Sequence, residues 1–192
     1  MGMKVLKGTE KLTANGKETD IEILDFWAWN NSDLLNNTLR GAYAEFIVSK
    51  ALGVDTSMSR IDWDAYDVNY GPIRIEVKCS AYLQAWEQKQ LSSIAFSIAP
   101  AQAWTPQDGY DGKPLRHSDF YIFCLLNCQD KEKVEPLNLD QWDFYVVPTK
   151  RIDEKCGTLK KLTLKVLGSL NPDRCTFYEL KSVVDRLWSE IK

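Results

Sequence analysis

Residues 66–78 have the sequence Tyr66-Asp67-Val68-Asn69-Tyr70-Gly71-Pro72-Ile73-Arg74-Ile75-Glu76-Val77-Lys78. Apolar and polar residues alternate on both sides of a Gly-Pro pair, a pattern that predicts two β-strands joined by a two-residue turn. With that turn, Tyr70 faces Ile73 across the hairpin, and Asp67 therefore faces Glu76. Directly opposed residues have Cβ atoms about 4.5–5.5 Å apart. We expect one apolar face and one face on which two carboxylates lie side by side.

The polar face of this hairpin has the groups needed for metal-assisted hydrolysis. Two opposed carboxylates destabilise a strand pair unless a cation offsets their charge, and Mg²⁺ prefers hard oxygen ligands and retains several waters. Lys78 points to the same side as Glu76 and could orient or deprotonate a water at such a metal. This chemistry suits phosphodiester hydrolysis and needs neither histidine nor cysteine. The alternative is a solvated surface on which Arg74 and Lys78 pair with Asp67 and Glu76.

A further acidic residue lies on a helix predicted over residues 33–52, where apolar residues recur at helical spacing. Glu45 sits there among small and apolar residues, and charged residues rarely occupy such positions unless they are paired or bound to a metal. Gly41 costs a helix about 1 kcal/mol relative to alanine, which is explained if another group approaches the helix closely. The alternative is that Glu45 pairs with Arg40 or Lys50 on an exposed edge.

The other segments complete a mixed α/β pattern with no repeat and no linker long enough to divide the chain. Residues 1–20 are expected to form a short hairpin or a loosely held arm, and the aromatic segment 25–29 is expected to pack on the core. Segment 81–90 is ambiguous between a helix and an extended arm. The pattern predicts strands at 66–70, 73–78, 94–98, 120–126 and 144–147, and an amphipathic C-terminal helix at about 175–191.

Composition limits the functional classes. The chain has 192 residues, of which 44% are hydrophobic and 27% charged, so extensive disorder and a coiled coil are excluded. The formal net charge is −3, so contact with nucleic acid must depend on a local patch or on bound cations. Five cysteines without a CxxC pair, together with a single histidine, predict buried or half-buried free thiols in a reducing cytosol rather than a zinc site. The N-terminal residues contain no long apolar stretch, so neither a signal peptide nor a membrane span is expected.

These residues together resemble the PD-(D/E)XK nuclease superfamily, which has the restriction-endonuclease-like fold. That superfamily has a glutamate on a helix, an aspartate on a strand and Glu-x-Lys on the next strand. The matching residues here are Glu45, Asp67 and Glu76-Val77-Lys78. Tyr66 stands in place of the proline of the family name, at a position that varies in the superfamily. The wider string, over roughly residues 25–100, is similar to a subgroup of mostly uncharacterised microbial and phage-associated members.

The resemblance implies one nuclease-like domain over residues 1–192, with a core at about 25–150 that consists of a central mixed β-sheet flanked by helices. Asp67, Glu76 and the Val77 carbonyl would bind Mg²⁺ or Mn²⁺. Lys78 would position the attacking water, and Glu45 would hold a second metal or a water. The implied activity is hydrolysis of phosphodiester bonds in DNA.

Several neighbouring residues extend this expectation. Family members carry a polar residue just beyond the lysine, for which Gln84 is preferred to Ser80, and Asp64 competes with Asp67 for the metal. Stacking on nucleic-acid bases is an alternative to core packing for four aromatic residues, Tyr66, Tyr82, Trp86 and Trp104. A local phosphate-binding patch could be formed by four basic residues, Arg40, Arg60, Arg74 and Lys89.

Two alternatives to a nuclease stay open on the sequence alone. The fold could be catalytically inactive and act as a nucleic-acid- or protein-binding module, or the polar face could be only a protein-contact surface. DNA is preferred to RNA as the substrate, while endonuclease and exonuclease action are not separated. A homodimer or a protein partner is expected if both strands of a duplex are cut.

Overall fold

The computed structural model describes residues 5–57, 66–102, 104–105, 109–110 and 114–192. Its strands are β1 (Lys11–Ala14), β2 (Lys17–Glu22), β3 (Val68–Tyr70), β4 (Ile73–Ala81), β5 (Ala95–Ser97), β6 (Trp104–Thr105), β7 (Gly109–Tyr110), β8 (Phe120–Leu126), β9 (Trp142–Pro148), β10 (Lys161–Thr163) and β11 (Asp173–Cys175). Its α-helices are α1 (Ile23–Asn31), α2 (Asn37–Leu52), α3 (Thr149–Cys156), α4 (Leu164–Ser169) and α5 (Leu180–Ile191).

A five-stranded sheet in the order β11-β9-β8-β4-β3 forms the centre of the molecule. Strands β4 and β8 are parallel, and the other neighbouring pairs are antiparallel, so the sheet is mixed as predicted. All seven residues of β8 are buried, as expected for a central strand that is covered on both faces. Helices α2 and α5 cover one face, and α3, α4 and the β5–β10 pair cover the other. The central mixed sheet with flanking helices confirms the predicted fold class.

Helix α2 carries Glu45, and both of its ends are fixed by local capping. The side chain of Asn36 accepts hydrogen bonds from the backbone N–H groups of Thr38 and Leu39, at 3.0 and 3.3 Å. Gly53 ends the helix with φ +73°, a left-handed conformation that glycine adopts without strain. The predicted start at residue 33 was wrong because Asp33 accepts from the Leu35 N–H in a turn before the helix.

The N-terminal part of the chain contains the expected hairpin, but the aromatic segment after it is not placed as predicted. Residues 11–22 form the expected hairpin, with Asn15 and Gly16 both at positive φ, as a tight two-residue turn requires. The aromatic segment that follows does not pack on the core: it lies in α1, and none of the nine described residues of this helix is buried. Trp29 is 81% exposed. The helix is favoured locally by a capping box in which Asp25 accepts from the Glu22 N–H at 2.8 Å.

The remaining helices and strands are of the type that the sequence predicts, but several begin or end at different residues. Strand 120–126 is confirmed, whereas the strand predicted at 94–98 is limited to β5 and pairs with β10 outside the central sheet. The strand predicted at 144–147 extends from 142 to 148. Helix α5 begins five residues later than predicted, because Cys175 belongs to an added edge strand, β11. Described residues 82–90 form neither a helix nor a strand.

Two further predictions concern burial and the membrane. Cys124, Cys156 and Cys175 are buried, Cys79 and Cys128 are half-buried, and all five are free thiols, as predicted. Among the residues described, no helix combines the length and apolar character needed to cross a bilayer.

Candidate active site

The β3–β4 hairpin places the predicted acidic residues at one edge of the sheet. Tyr70 faces Ile73 and Val68 faces Ile75, which is the register that the sequence predicts. Gly71 occupies the turn with φ +58°, a value that primed hairpin turns need at this position and that favours glycine.

Asp67 departs from the predicted register. Its backbone N–H donates to the carbonyl of Ile75 at 3.0 Å, although Ile75 already faces Val68, so two residues lie opposite one as in a β-bulge. The Asp67 carboxylate then accepts from the Val77 N–H at 2.7 Å, beyond the last pair of the β3–β4 ladder. The expected direct pairing of Asp67 with Glu76 is therefore replaced by a local irregularity that aims the carboxylate at the edge of β4.

The Val77 carbonyl is directed to the same edge. In a strand, the N–H and C=O of one residue point toward the same neighbour, and the Val77 N–H is bonded to Asp67. The Asp67 carboxylate and the Val77 carbonyl therefore both lie along the part of the β4 edge that β3 does not cover.

The Lys78 ammonium joins the two carboxylates. Its Nζ lies 2.5 Å from Glu76 Oε1 and 3.8 Å from Asp67 Oδ2, with the three side chains between 20% and 27% exposed. Oxygens of both carboxylates thus already converge on one cationic atom. In this arrangement the lysine supplies the charge that offsets their repulsion.

The pKa values of Glu76 and Lys78 are set by burial and by the charges of the neighbouring residues. Burial raises the pKa of the Glu76 carboxyl, and the charges of Asp67 and Glu45 add to the rise, while Lys78 opposes it. Burial by itself would lower the pKa of Lys78, but Glu76, then Asp67 and then Glu45 outweigh it, so that the pKa is raised. The raised pKa keeps Lys78 a cation at neutral pH in this arrangement.

Glu45 lies on α2, which packs against β3 and β4. It is half-buried, and its charge contributes to the raised pKa values of both Glu76 and Lys78. Among the described residues, no atom would lie within 4 Å of a Cβ at Gly41, so no described element of the protein explains this glycine by a close approach.

Tyr121 lies beside the cluster and was not predicted from the sequence. The parallel register of β4 and β8 pairs it with Glu76. Burial raises the pKa of its phenol, and the charge of Glu76 adds to this effect. The apolar run of β8 predicted the strand, but it carried no information on which strand would lie beside it.

Gln84 is placed differently from the acidic residues. Its Nε2 donates to the Ala81 carbonyl at 2.9 Å and to Ser92 Oγ at 3.2 Å, and its Oε1 accepts from Arg40 Nη1 at 3.2 Å. Gln84 therefore fixes the segment that follows β4 against α2. Its position among the catalytic residues stays a prediction.

Arg40 was predicted to contribute to a local phosphate-binding patch, and its position in the structure contradicts that prediction. It is 3% exposed and donates to the Leu35 carbonyl and to Asn37 Oδ1 at 2.7 and 2.5 Å, so it does not belong to a solvent-facing phosphate patch. Its Nε–H has no hydrogen-bond partner among the described residues. Burial raises the pKa of the neighbouring Cys79 thiol to about 11, and the Arg40 guanidinium opposes this rise.

The remaining candidate site residues are either paired or at least partly buried, exposed, or outside the described residues. Arg74 forms an ion pair with Asp119 at 2.9 Å, Ser80 is buried, and Tyr66 and Tyr82 are half-buried. Lys89 and Trp86 are exposed. Arg60, Asp64 and the Trp104 side chain lie outside the described residues.

A family model described as bacteriophage T4 endonuclease IV matches residues 2–158, which include the hairpin, α2 and most of the central sheet. The chain belongs to the bacteriophage T4 endonuclease IV family. Its membership confirms the prediction of a nuclease of phage type, while the narrower resemblance to the PD-(D/E)XK superfamily stays a prediction. No curated protein matches the chain.

Proposed function

We propose that this member of the endonuclease IV family hydrolyses phosphodiester bonds in DNA with a divalent cation held at the edge of β4. The observation that carries the proposal is the convergence of the Asp67 and Glu76 carboxylates on one cationic atom, Lys78 Nζ. This convergence lies within the part of the chain that matches the endonuclease family.

The residues present fit a Mg²⁺ or Mn²⁺ ion. Among the described residues, no three Asp, Glu, His or Cys side chains are close enough together to hold a metal by themselves. Magnesium does not need such a set, since it is commonly bound through one or two carboxylates and keeps several waters. Asp67 and Glu76 provide hard oxygen donors of this kind around the Lys78 ammonium, and the Val77 carbonyl is directed to the same edge of β4.

The acidic residues and Lys78 have different roles in the proposed hydrolysis. Asp67 and Glu76 hold the cation, and the bond from the Val77 N–H keeps the Asp67 carboxylate in place. A bound divalent cation would stabilise charge on the phosphate and make water a better nucleophile. Lys78, held as a cation by its acidic neighbours, donates a hydrogen bond that positions the attacking water. Glu45 holds a second cation or a water from the side of α2.

Cleavage of labelled DNA and RNA in Mg²⁺ or Mn²⁺ tests this function. Wild type is expected to cut DNA, and the isosteric double variant Asp67→Asn/Glu76→Gln is expected to lose cleavage with its fold retained. Asp185→Asn, which changes an acidic residue on α5, is the matched control and is expected to cleave like wild type. Full activity in the double variant would refute the assignment of the site.

One observation favours a second candidate, a nucleic-acid-binding module without catalysis. Lys78 already balances much of the carboxylate charge, so the cluster is stable without a metal. In that case the protein would bind nucleic acid with the same affinity in EDTA and in Mg²⁺, and would cut neither DNA nor RNA.

A further inference from the structure

An open cleft lies at the carboxyl ends of the parallel strands β4 and β8. It consists of two neighbouring pockets, of about 270 and 310 Å³, that share Leu83 and Lys131 as lining residues. One wall is the segment that follows β4, and the other is the segment that follows β8. In open α/β sheets, ligands bind in the crevice outside the carboxyl ends of the strands.

The wall that follows β4 has no regular secondary structure, but hydrogen bonds fix its shape. Gln88 Oε1 accepts from the Gln84 N–H at 2.7 Å, and Gln88 Nε2 donates to the Tyr82 carbonyl and to Ser92 Oγ at 3.2 and 3.0 Å. Lys131 Nζ donates to the Gln88 carbonyl at 3.4 Å and so connects the two walls. The backbone of this segment is therefore fixed by hydrogen bonds on both sides of Trp86.

Trp86 projects from this fixed wall and is 55% exposed. An exposed indole on a rigid segment provides a face on which a base can stack, and stacking of this kind tolerates any base sequence. The charged residues that line the cleft are Lys89, Lys131 and Glu87. Trp86 and Lys131 line the same pocket, and Lys89 lines the neighbouring one. An aromatic ring and an ammonium group in one pocket match a nucleotide, whose flat base and anionic phosphate are adjacent.

The cleft is connected to the acidic cluster by two elements. Along β4, the three residues from Lys78 to Ala81 span about 10 Å at roughly 3.3 Å per residue, and the cleft begins just beyond. Gln84, which lines the cleft, accepts a hydrogen bond from Arg40 on α2, the helix that also carries Glu45. A nucleic acid strand at the acidic cluster can therefore place a neighbouring nucleotide in the cleft.

We propose that this cleft is a nucleotide-binding subsite, in which a base that has left the helical stack lies on Trp86 while its phosphate contacts Lys131 and Lys89. The proposal rests on the proposed nuclease function, because it takes the substrate of that site as its ligand. It adds residues that bind the substrate without taking part in the hydrolysis.

Binding of a short fluorescent single-stranded oligodeoxynucleotide, followed by anisotropy, tests the subsite. The measurements use the Asp67→Asn/Glu76→Gln background in EDTA, so that neither cleavage nor metal binding enters the result. Trp86→Ala is expected to raise Kd by about 5- to 150-fold, and Trp86→Phe to restore most of the affinity. Lys131→Ala is expected to lower the slope of log K against log salt by about 0.7, the contribution of one phosphate contact on a single strand.

Two matched variants control for general effects. Trp29→Ala removes another exposed tryptophan, on α1 and outside the cleft, and Lys133→Ala removes a lysine of the same loop that pairs with Asp130. Both are expected to bind like the background protein.

The outcomes separate the subsite from the catalytic proposal. An unchanged Kd in Trp86→Ala, or the absence of oligonucleotide binding in every variant, would overturn the subsite even if wild type cleaves DNA. Binding that depends on Trp86 in a protein that cleaves nothing would support the subsite and overturn the catalytic proposal.

Discussion

Removal of the Lys78 charge is the most informative single perturbation of the acidic cluster. In Lys78→Met, two carboxylates that are 20% and 22% exposed lose the cation on which they converge. An exposed ion pair is worth about 1 kcal/mol or less, whereas removal of one partner from a buried pair costs about 3–5 kcal/mol. The partial burial of this cluster places the expected loss between these limits, at about 2 kcal/mol of unfolding free energy.

Thermal unfolding followed by circular dichroism measures this loss. In a domain of this size, 1 kcal/mol corresponds to about 2–4 °C in Tm, so Lys78→Met is expected to unfold roughly 4–8 °C below wild type in EDTA. Mg²⁺ should restore much of this difference, because the two carboxylates no longer share their oxygens with an ammonium. A ligand at 100 times its Kd stabilises the folded state by about 2.7 kcal/mol.

The pH dependence of the difference follows from the two raised pKa values. Without Lys78 the pKa of Glu76 rises further, and a raised carboxyl pKa favours the folded state as pH falls and Glu76 becomes protonated. At alkaline pH, the stabilisation that Lys78 gives wild type is lost as pH rises from about 10.5 through the raised pKa of the folded state. The difference between the two proteins is therefore expected to be largest near neutral pH.

Lys133→Met is the matched control, since Lys133 forms an exposed ion pair with Asp130. Its Tm is expected to equal that of wild type and to be insensitive to Mg²⁺. The reasoning would be refuted if Lys78→Met unfolded at the wild-type temperature in EDTA and did not respond to Mg²⁺.

Three further predictions concern α2 and the neighbouring strand. Gly41→Ala is expected to raise the free energy of unfolding by up to about 1 kcal/mol, because the added methyl group meets open space; chemical denaturation checks this, and a loss of stability would contradict it. Asn36→Ala is expected to lower the same free energy by about 1 kcal/mol, since two N–H groups lose their acceptor, with Asn31→Ala, at the end of α1, as the control. Burial raises the pKa of Cys79 to about 11, so its alkylation by iodoacetamide at pH 8 is expected to be slow in the folded protein and fast in urea; mass spectrometry of the peptides checks this, and rapid modification of the folded protein would count against it.

The sequence predicted most accurately the features that depend on neighbouring residues. The register of the β3–β4 hairpin followed from the two-residue turn, because the paired residues are only a few positions apart. The bulge at Asp67 did not follow, since alternation of polar and apolar residues does not indicate where a ladder stops. The start of α2 at Asn37, after the Asn36 cap, was likewise not indicated by residue type, because the Asp33 and Asn36 side chains both accept backbone hydrogen bonds.

Features that depend on distant residues could not be predicted in the same way. The parallel pairing that places Tyr121 beside Glu76 joins strands about 45 residues apart, and neither strand specifies its neighbour. The apolar surroundings of Glu45 indicated only that it needs a partner, and its place in the site was implied by the family resemblance and stays a prediction. The hydrogen bond from Arg40 to Gln84, which holds the segment after β4, depends on how α2 packs and had no signal in the sequence.

Calorimetric titration with Mg²⁺, comparing wild type with Asp67→Asn/Glu76→Gln, tests most directly whether the edge of β4 is a metal site. We expect wild type to bind the ion and the double variant, with its fold intact by circular dichroism, to bind none. Binding of equal strength in both proteins would place the metal elsewhere. Absence of binding to wild type at millimolar Mg²⁺ would mean that Lys78 alone neutralises the two carboxylates and that they do not form a metal site.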